Sequence, residues 1–133
     1  MKNNALKKAF FILIPVGIIL ILLQSNKVKA ENNIQWKAVP ETAIPSRMNP
    51  NPRPAYIGKN TSIRRGENIV FDAYIDEQYV LYAGNCRTQM LYRLSIGSFD
   101  KKRQPQNIKP YPNEKWFQAN QFQKYVLNAA CSE

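Results

Sequence analysis

An uncharged apolar run near the start of the chain, residues 9–23, constrains what the rest of the sequence can become. Three lysines and no acidic residue precede it, as in the n-region and h-region of an export signal. As a helix the run would span about 22 Å, less than the roughly 30 Å core of a bilayer. We therefore predict a signal peptide at residues 1–30, with cleavage after Ala30. The alternative is a short anchor helix that contacts the membrane through residues 9–23.

Export removes much of the positive charge. The 133 residues include 19 Lys and Arg against 9 Asp and Glu, a net charge of +10. Five of the 19 cations lie before residue 31, which leaves 14 against 9 acids in the mature chain. This moderate balance does not indicate nucleic acid as a partner. The sequence contains no His, which excludes His-based catalytic triads and His-ligated zinc sites.

The two cysteines, Cys86 and Cys131, both follow the predicted cleavage site. An even number of cysteines in a small exported domain indicates one disulfide, closing a loop of about 46 residues. Two buried, unpaired thiols are the alternative. Two cysteines without His or a CxxC spacing cannot supply the four ligands of a zinc site, so we predict no metal or cofactor.

The mature chain begins with a strand pattern and a proline-rich stretch. Ile34, Trp36 and Ala38 alternate with polar residues, which predicts a first strand within residues 31–39. Residues 40–54 contain five prolines, which neither a helix nor a central strand tolerates. We predict an extended surface loop there.

Strand patterns dominate residues 55–96. One apolar alternation consists of Ile69, Phe71, Ala73 and Ile75, and another of Cys86, Thr88, Met90, Tyr92, Leu94 and Ile96. Turns are predicted at residues 65–67 and 76–78, and a bend or bulge at residues 84–85. Short turns without intervening helices predict an antiparallel meander with one apolar face, towards which Cys86 points, and one open face.

The C-terminal segment supplies a cover for the apolar face. After a predicted loop at residues 97–112, Asn120 and Gln123 have the spacing of a helix start. Phe122, Tyr125, Val126, Ala129 and Ala130 follow with a helical period. The predicted fold is therefore α+β: residues 55–133 form an antiparallel sheet with a C-terminal helix on one face, tied by the disulfide, in one domain with residues 31–54.

Several short motifs resemble the surface-adhesin protein E family. They are the run at residues 56–66, Trp36 upstream, Asn85-Cys86 and the terminal Ala130-Cys131, and the likeness covers residues 34–133. The resemblance implies an antiparallel sheet with a C-terminal helix tied to its concave side by a disulfide. Gly58 stands where the family has an acidic residue. No cysteine lies directly after Leu23, where a lipid would be attached.

Two groups of charged residues are candidate sites. Arg64 and Arg65, beside a turn, and Lys101, Lys102 and Arg103, in a loop, form a possible basic surface for acidic polysaccharide, anionic lipid or nucleic acid. Solvated loop charge is the alternative.

The carboxylates Asp72, Asp76 and Glu77 lie on a predicted strand rim and turn, with no second cluster near them in sequence, so we predict no catalytic site.

The sequence therefore predicts a non-catalytic exported domain, in the periplasm, at the cell surface or secreted, that binds an extracellular or envelope macromolecule. The alternative is a structural or accessory envelope protein retained at the membrane by residues 9–23.

Overall fold

The computed structural model describes residues 33–112 and 114–133, so the predicted signal or anchor segment at residues 1–30 lies outside the described residues. The described chain forms an antiparallel sheet, a short 3-10 turn and an α-helix. The strands are β1 (Trp36–Val39), β2 (Ala55–Gly58), β3 (Ile63–Arg65), β4 (Asn68–Ile75), β5 (Gln78–Asn85), β6 (Met90–Phe99), β7 (Pro105–Pro110) and β8 (Phe117–Gln118), and the helix is α1 (Gln121–Cys131). No helix in the described ranges is long and apolar enough to cross a membrane.

The sheet has the strand order β1-β2-β4-β5-β6-β7, with β3 paired to β4 and β8 paired to β6. All of these pairs are antiparallel, which confirms the predicted antiparallel sheet. The β3–β4 turn contains Gly66 at φ 60°, and the β4–β5 turn contains Asp76 and Glu77 at φ 50° and 62°. Two positive φ values in a two-residue hairpin turn match the twist of the flanking strands.

The helix α1 begins with a reciprocal cap. The Asn120 side chain accepts the Gln123 backbone N–H, and the Gln123 side chain accepts the Asn120 N–H, so two donors at the helix start are paired. Val126 and Leu127 are buried against the sheet. Gly84 of β5 permits this approach, because a Cβ there would lie 2.5 Å from Leu127 Cδ1. The predicted helix and its start are confirmed.

A disulfide joins Cys86 to Cys131, with their Cα atoms 6.0 Å apart. Cys86 lies in the β5–β6 turn and Cys131 ends α1. The Cys86 N–H donates to the Glu67 carbonyl at 2.7 Å, and Arg64 Nη1 donates to the Cys131 carbonyl at 2.8 Å. The bond confirms the predicted pairing and fixes the end of α1 to the sheet.

The sheet is buried on both faces, so the prediction of one open face is wrong. The helix face, which α1 covers, has a core of Val39, Ala55, Ile57, Ile69, Phe71, Ala73, Val80, Tyr82 and Leu91. The opposite face, here called the aromatic face, buries Ile34, Val70, Tyr79, Leu81, Ala83, Tyr92 and Leu94, with Trp36, Ile63, Phe99 and Trp116 packed against them. Strands β4 and β5 are therefore apolar on both sides, unlike a strand with one solvated face.

The sheet covers its own aromatic face by curling. The Trp36 ring on β1 lies 5.6 Å from the Phe99 ring at the end of β6, although β2, β4 and β5 separate these strands in the sheet. Residues on one face meet across so many strands only if the sheet bends towards that face. At this end α1 lies outside the curl, whereas the family resemblance implies a helix on the concave side.

Tyr92 and Leu94 share a face, as their alternation predicts, but it is not the face that α1 covers. Leu91 belongs to the helix-face core, whereas Tyr92 and Leu94 belong to the aromatic face. Cys86 lies in a turn, where strand parity does not apply. The irregularity expected at residues 84–85 lies instead in the β5–β6 pairing at Leu81/Tyr82.

Two edge strands differ from their predictions. The predicted loop at residues 97–112 contains the end of β6 and all of β7. Strand β7 has a proline at each end and is mostly exposed, so it lacks the apolar alternation that marks a strand in sequence. In β1, Ala38 is exposed and Val39 is buried, because Val39, three residues after Trp36, lies on the opposite face of the sheet and packs in the helix-face core.

We expect Cys86→Ala to lower the free energy of unfolding under oxidising conditions by up to about 4 kcal/mol, because the unfolded chain loses a closed loop of about 46 residues. Chemical denaturation of the protein measures this difference. Cys131→Ala is the matched control and should give the same loss, and added reductant should remove the difference between either variant and the parent. An unchanged denaturation midpoint in both variants would show that the bond does not stabilise the fold.

Candidate functional site

A cleft of about 710 Å³ lies between the proline-rich loop and the β4–β5 turn. Its size is within the range of ligand sites in proteins. The lining residues are Thr42, Asn49, Asn51, Pro52, Arg53, Pro54, Ala55, Tyr56, Tyr74, Ile75, Asp76, Glu77, Arg103 and Phe122. The cleft therefore combines aromatic rings, amide side chains and charges of both signs.

Two tyrosines form the aromatic part of the cleft wall. Tyr56 and Tyr74 are directly opposite each other on β2 and β4, so both point to the aromatic face, with ring centroids 5.5 Å apart. Tyr74 also stacks on Phe99 at 4.2 Å and meets the edge of Trp36 at 5.8 Å. Such contacts hold the rings in place while both tyrosines remain half-buried. A ligand thus finds ring surfaces that are already positioned.

The rim of the cleft carries a solvated ion pair. Arg53 Nη1 lies 3.6 Å from Glu77 Oε1, and the two side chains are 84% and 77% exposed. A pair this exposed contributes little to stability. Glu77 and the neighbouring Asp76 occupy the two positions of the β4–β5 turn with positive φ. The charges on the rim are therefore accessible to a ligand.

A buried threonine joins the two ends of the proline-rich loop. Thr42 Oγ1 donates to the Val39 carbonyl at 2.6 Å and accepts the Ala55 N–H at 2.7 Å. Within the loop, the Ser46 N–H donates to the Asn49 carbonyl at 3.0 Å. Prolines and these hydrogen bonds restrict the backbone of the loop. The loop therefore loses little conformational freedom when a ligand binds in the cleft.

The five predicted basic residues do not form one surface. Arg64 contacts the carbonyl of Cys131 at the end of α1, on the helix side of the sheet. The loop that carries Lys101, Lys102 and Arg103 lies on the other side, where the Arg103 carbonyl accepts the Trp36 Nε1–H at 2.8 Å. The sheet therefore separates Arg64 from the cations of the β6–β7 loop.

The sequence predicts Asp72 on a strand rim, and this prediction is wrong. It lies inside β4 with no exposed surface. The Thr61 hydroxyl donates to its Oδ2, and the Tyr79 hydroxyl donates to its Oδ1 at 2.6 Å. The second face of the sheet is covered, so a position that alternation assigns to solvent is buried. Asp72 joins β4, β5 and the loop before β3, and it does not reach the cleft.

A second cluster that the sequence did not reveal surrounds Arg93 of β6. Its Nε donates to Glu114, and its guanidinium lies 4.4 Å above the Tyr111 ring and 5.2 Å from the Phe117 ring. Burial by itself lowers the pKa of Arg93, but the hydrogen bond and the charge of Glu114 outweigh it, so the pKa is raised. Burial raises the pKa of the neighbouring Tyr82 hydroxyl. These contacts attach the segment before α1 to β6.

Comparisons of the chain with protein-family models, with curated proteins and with solved structures found no match. The sequence identifies Asp76 and Glu77 as carboxylates of a turn. Their assembly with Tyr56 and Arg53 depends on strand register and on the path of the loop, which short-range patterns do not encode.

We expect Asp72→Asn to lower the free energy of unfolding by about 1–3 kcal/mol, because an amide nitrogen at either Oδ position cannot accept a buried hydroxyl hydrogen bond. Chemical denaturation measures this difference. Asp76→Asn is the matched control: it makes the same chemical change in an exposed turn with positive φ, which Asn tolerates, and it should leave stability within about 0.5 kcal/mol. Equal stability losses in the two variants would contradict a specific role for the buried carboxylate.

Proposed function

We propose that this chain is an exported, non-catalytic binding domain of the cell envelope or cell surface, and that the cleft beside the proline-rich loop holds its ligand. The cleft carries the proposal, because it combines positioned tyrosine rings with exposed charges in a volume that suits a ligand. The resemblance to the surface-adhesin protein E family, itself a proposal, agrees with a binding role. The alternative is an accessory envelope protein retained at the membrane by residues 9–23.

The chemistry of the available side chains favours binding over catalysis. The sequence has no His, and both cysteines are in the disulfide. Asp76 and Glu77 are adjacent on an exposed turn, so they do not face each other across a substrate as an acid and a base do. Asp72 is buried and accepts hydrogen bonds from two hydroxyls.

The disulfide supports export. Disulfides persist in oxidising compartments and are rare in reducing ones. The lysine-rich start and the apolar run at residues 9–23 have the order of an export signal. Both observations agree with a protein that acts outside the cytosol.

The lining of the cleft favours a glycan segment as the ligand. Tyr56 and Tyr74 offer aromatic surface for the apolar face of a sugar ring. Asn49 and Asn51 present amide donors and acceptors, and Arg53 and Glu77 present charged partners for hydroxyl groups. The cleft is lined mainly by polar groups and prolines, so it offers few of the apolar anchor positions that dominate protein–protein interfaces.

We expect the double variant Arg53→Gln, Glu77→Asn to weaken glycan binding by about tenfold or more, because each residue offers a charged hydrogen-bond partner. Asn is chosen at position 77 because it tolerates the positive φ there. A glycan array identifies the ligand, and calorimetry with that glycan measures the affinity.

The matched control is Arg87→Gln, Glu67→Gln. These residues form another exposed ion pair, with Arg87 Nε 2.9 Å from Glu67 Oε1, at the opposite end of the β4–β5 hairpin. The control variant should bind the glycan with the same affinity as the parent. The cleft assignment fails if the control loses as much affinity as the cleft variant, and the glycan assignment fails if the array is silent while a peptide library binds.

A further inference from the structure

The basic β6–β7 loop is fixed against the first residues of the described domain. The Gln104 side chain accepts the Ile34 N–H at 2.8 Å and donates to the Ile34 carbonyl at 3.2 Å. The Arg103 carbonyl accepts the indole N–H of Trp36 at 2.8 Å. The loop therefore lies beside the point where the chain passes from residues 1–32 into the sheet.

A second basic segment holds the same residues from the other side. The Lys59 N–H donates to the Gln35 carbonyl at 2.7 Å. The Asn60 side chain accepts the Gln35 N–H at 2.8 Å and donates to the Asn33 carbonyl at 2.9 Å. Four cations thus surround the start of the domain, and we call them the basic collar: Lys59, Lys101, Lys102 and Arg103.

The collar presents its charge to solvent on a restrained backbone. All four residues are exposed, and none pairs with an acid in the ion pairs of the described residues. Asp100 is the one acid of the loop, and its Oδ1 accepts the backbone N–H groups of Lys102 and Gln104 at 2.8 and 2.9 Å. The Arg103 N–H donates to the Asp100 carbonyl at 3.1 Å. Asp100 therefore fixes the backbone of the loop, and its carboxylate forms no ion pair with the cations of the collar.

The sequence before the domain places the collar near a membrane if the apolar run is retained. Residues 24–32, which include Lys27 and Lys29 and one acid, Glu31, separate the apolar run at residues 9–23 from the domain. Even fully extended, such a connection reaches only about 35 Å. A tether this short gives the collar an effective concentration in the millimolar range at the bilayer surface.

We propose that the basic collar docks the domain on an anionic phospholipid surface in the form of the protein that retains residues 9–23. One apolar segment combined with a basic patch is a recurrent two-signal mode of membrane attachment, and each Lys or Arg near an anionic surface increases the association about fivefold. The cations surround the tether itself, which favours the bilayer over a soluble polyanion. The inference does not depend on the ligand of the cleft.

The test uses the full chain, made by cell-free synthesis under oxidising conditions directly into lipid nanodiscs. One set of discs contains phosphatidylcholine alone, and the other contains phosphatidylcholine with phosphatidylglycerol. Amide hydrogen exchange of the β6–β7 loop is the readout. We expect exchange to be about threefold or more slower in the anionic discs, and 1 M salt should remove the difference.

The triple variant Lys59→Gln, Lys101→Gln, Lys102→Gln should lose this lipid dependence, because docking falls by roughly 100-fold. Arg103 is left intact because it also lines the cleft, so glycan affinity should be unchanged. The matched control, Arg65→Gln, Arg87→Gln, Lys115→Gln, removes the same charge near the start of β6, the far end from the loop, and should behave as the parent does.

Two results would overturn the proposal. One is equal exchange of the parent loop in the two kinds of disc. The other is protection of the loop by soluble dextran sulfate together with no effect of anionic lipid, which would assign the collar to a polysaccharide.

Discussion

The bond between Cys86 and Cys131 is the constraint on which the rest of the structure depends, because it encloses everything from β6 to the end of α1 in one covalent loop. The helix has 11 residues, a length that is marginal in isolation. Its stability comes from the packing of Val126 and Leu127 on the helix face and from the fixed position of its last residue. The disulfide therefore keeps α1 in contact with the sheet.

The second determinant is the burial of both faces of β4 and β5. A short sheet with one solvated face would leave a chain of this size with a small core. Here the aromatic face provides a second core, closed by Trp36, Phe99 and the β6–β7 loop. The same curl brings Tyr74 and Arg103 to one cleft. Stability and the candidate site thus have a common geometric origin.

Local chemistry made part of this structure predictable. The Asn120 and Gln123 cap, the turn at Gly66 and the turn at residues 76–77 are each specified by a few neighbouring residues, and the helix and turns were predicted correctly. The disulfide was also predicted correctly, although the strand parity that supported it does not extend to Cys86, which lies in a turn. The pairing followed from the number of cysteines and from the predicted export of the chain, which do not depend on parity.

The rest depends on contacts between distant segments. Alternation assigned Asp72 to an open face because nothing local shows that Thr61 and Tyr79 cover it. Arg64 and Arg103 are both basic, but the sheet that separates them is built from pairings far apart in sequence. The cleft requires the register of Tyr56 with Tyr74 and the path of the proline-rich loop. No periodicity of 2 or 3.6 residues contains that information.

The proline-bounded strand β7 has a consequence for how the protein behaves among its own copies. Its outer edge belongs to the sheet boundary, and Pro105 and Pro110 lack the amide hydrogens that a continuous ladder would use. Asn107, at φ 54°, further interrupts the extended backbone. An incoming strand finds no unbroken row of donors and acceptors on this side. Addition of a strand from a second copy at the β7 edge is therefore disfavoured.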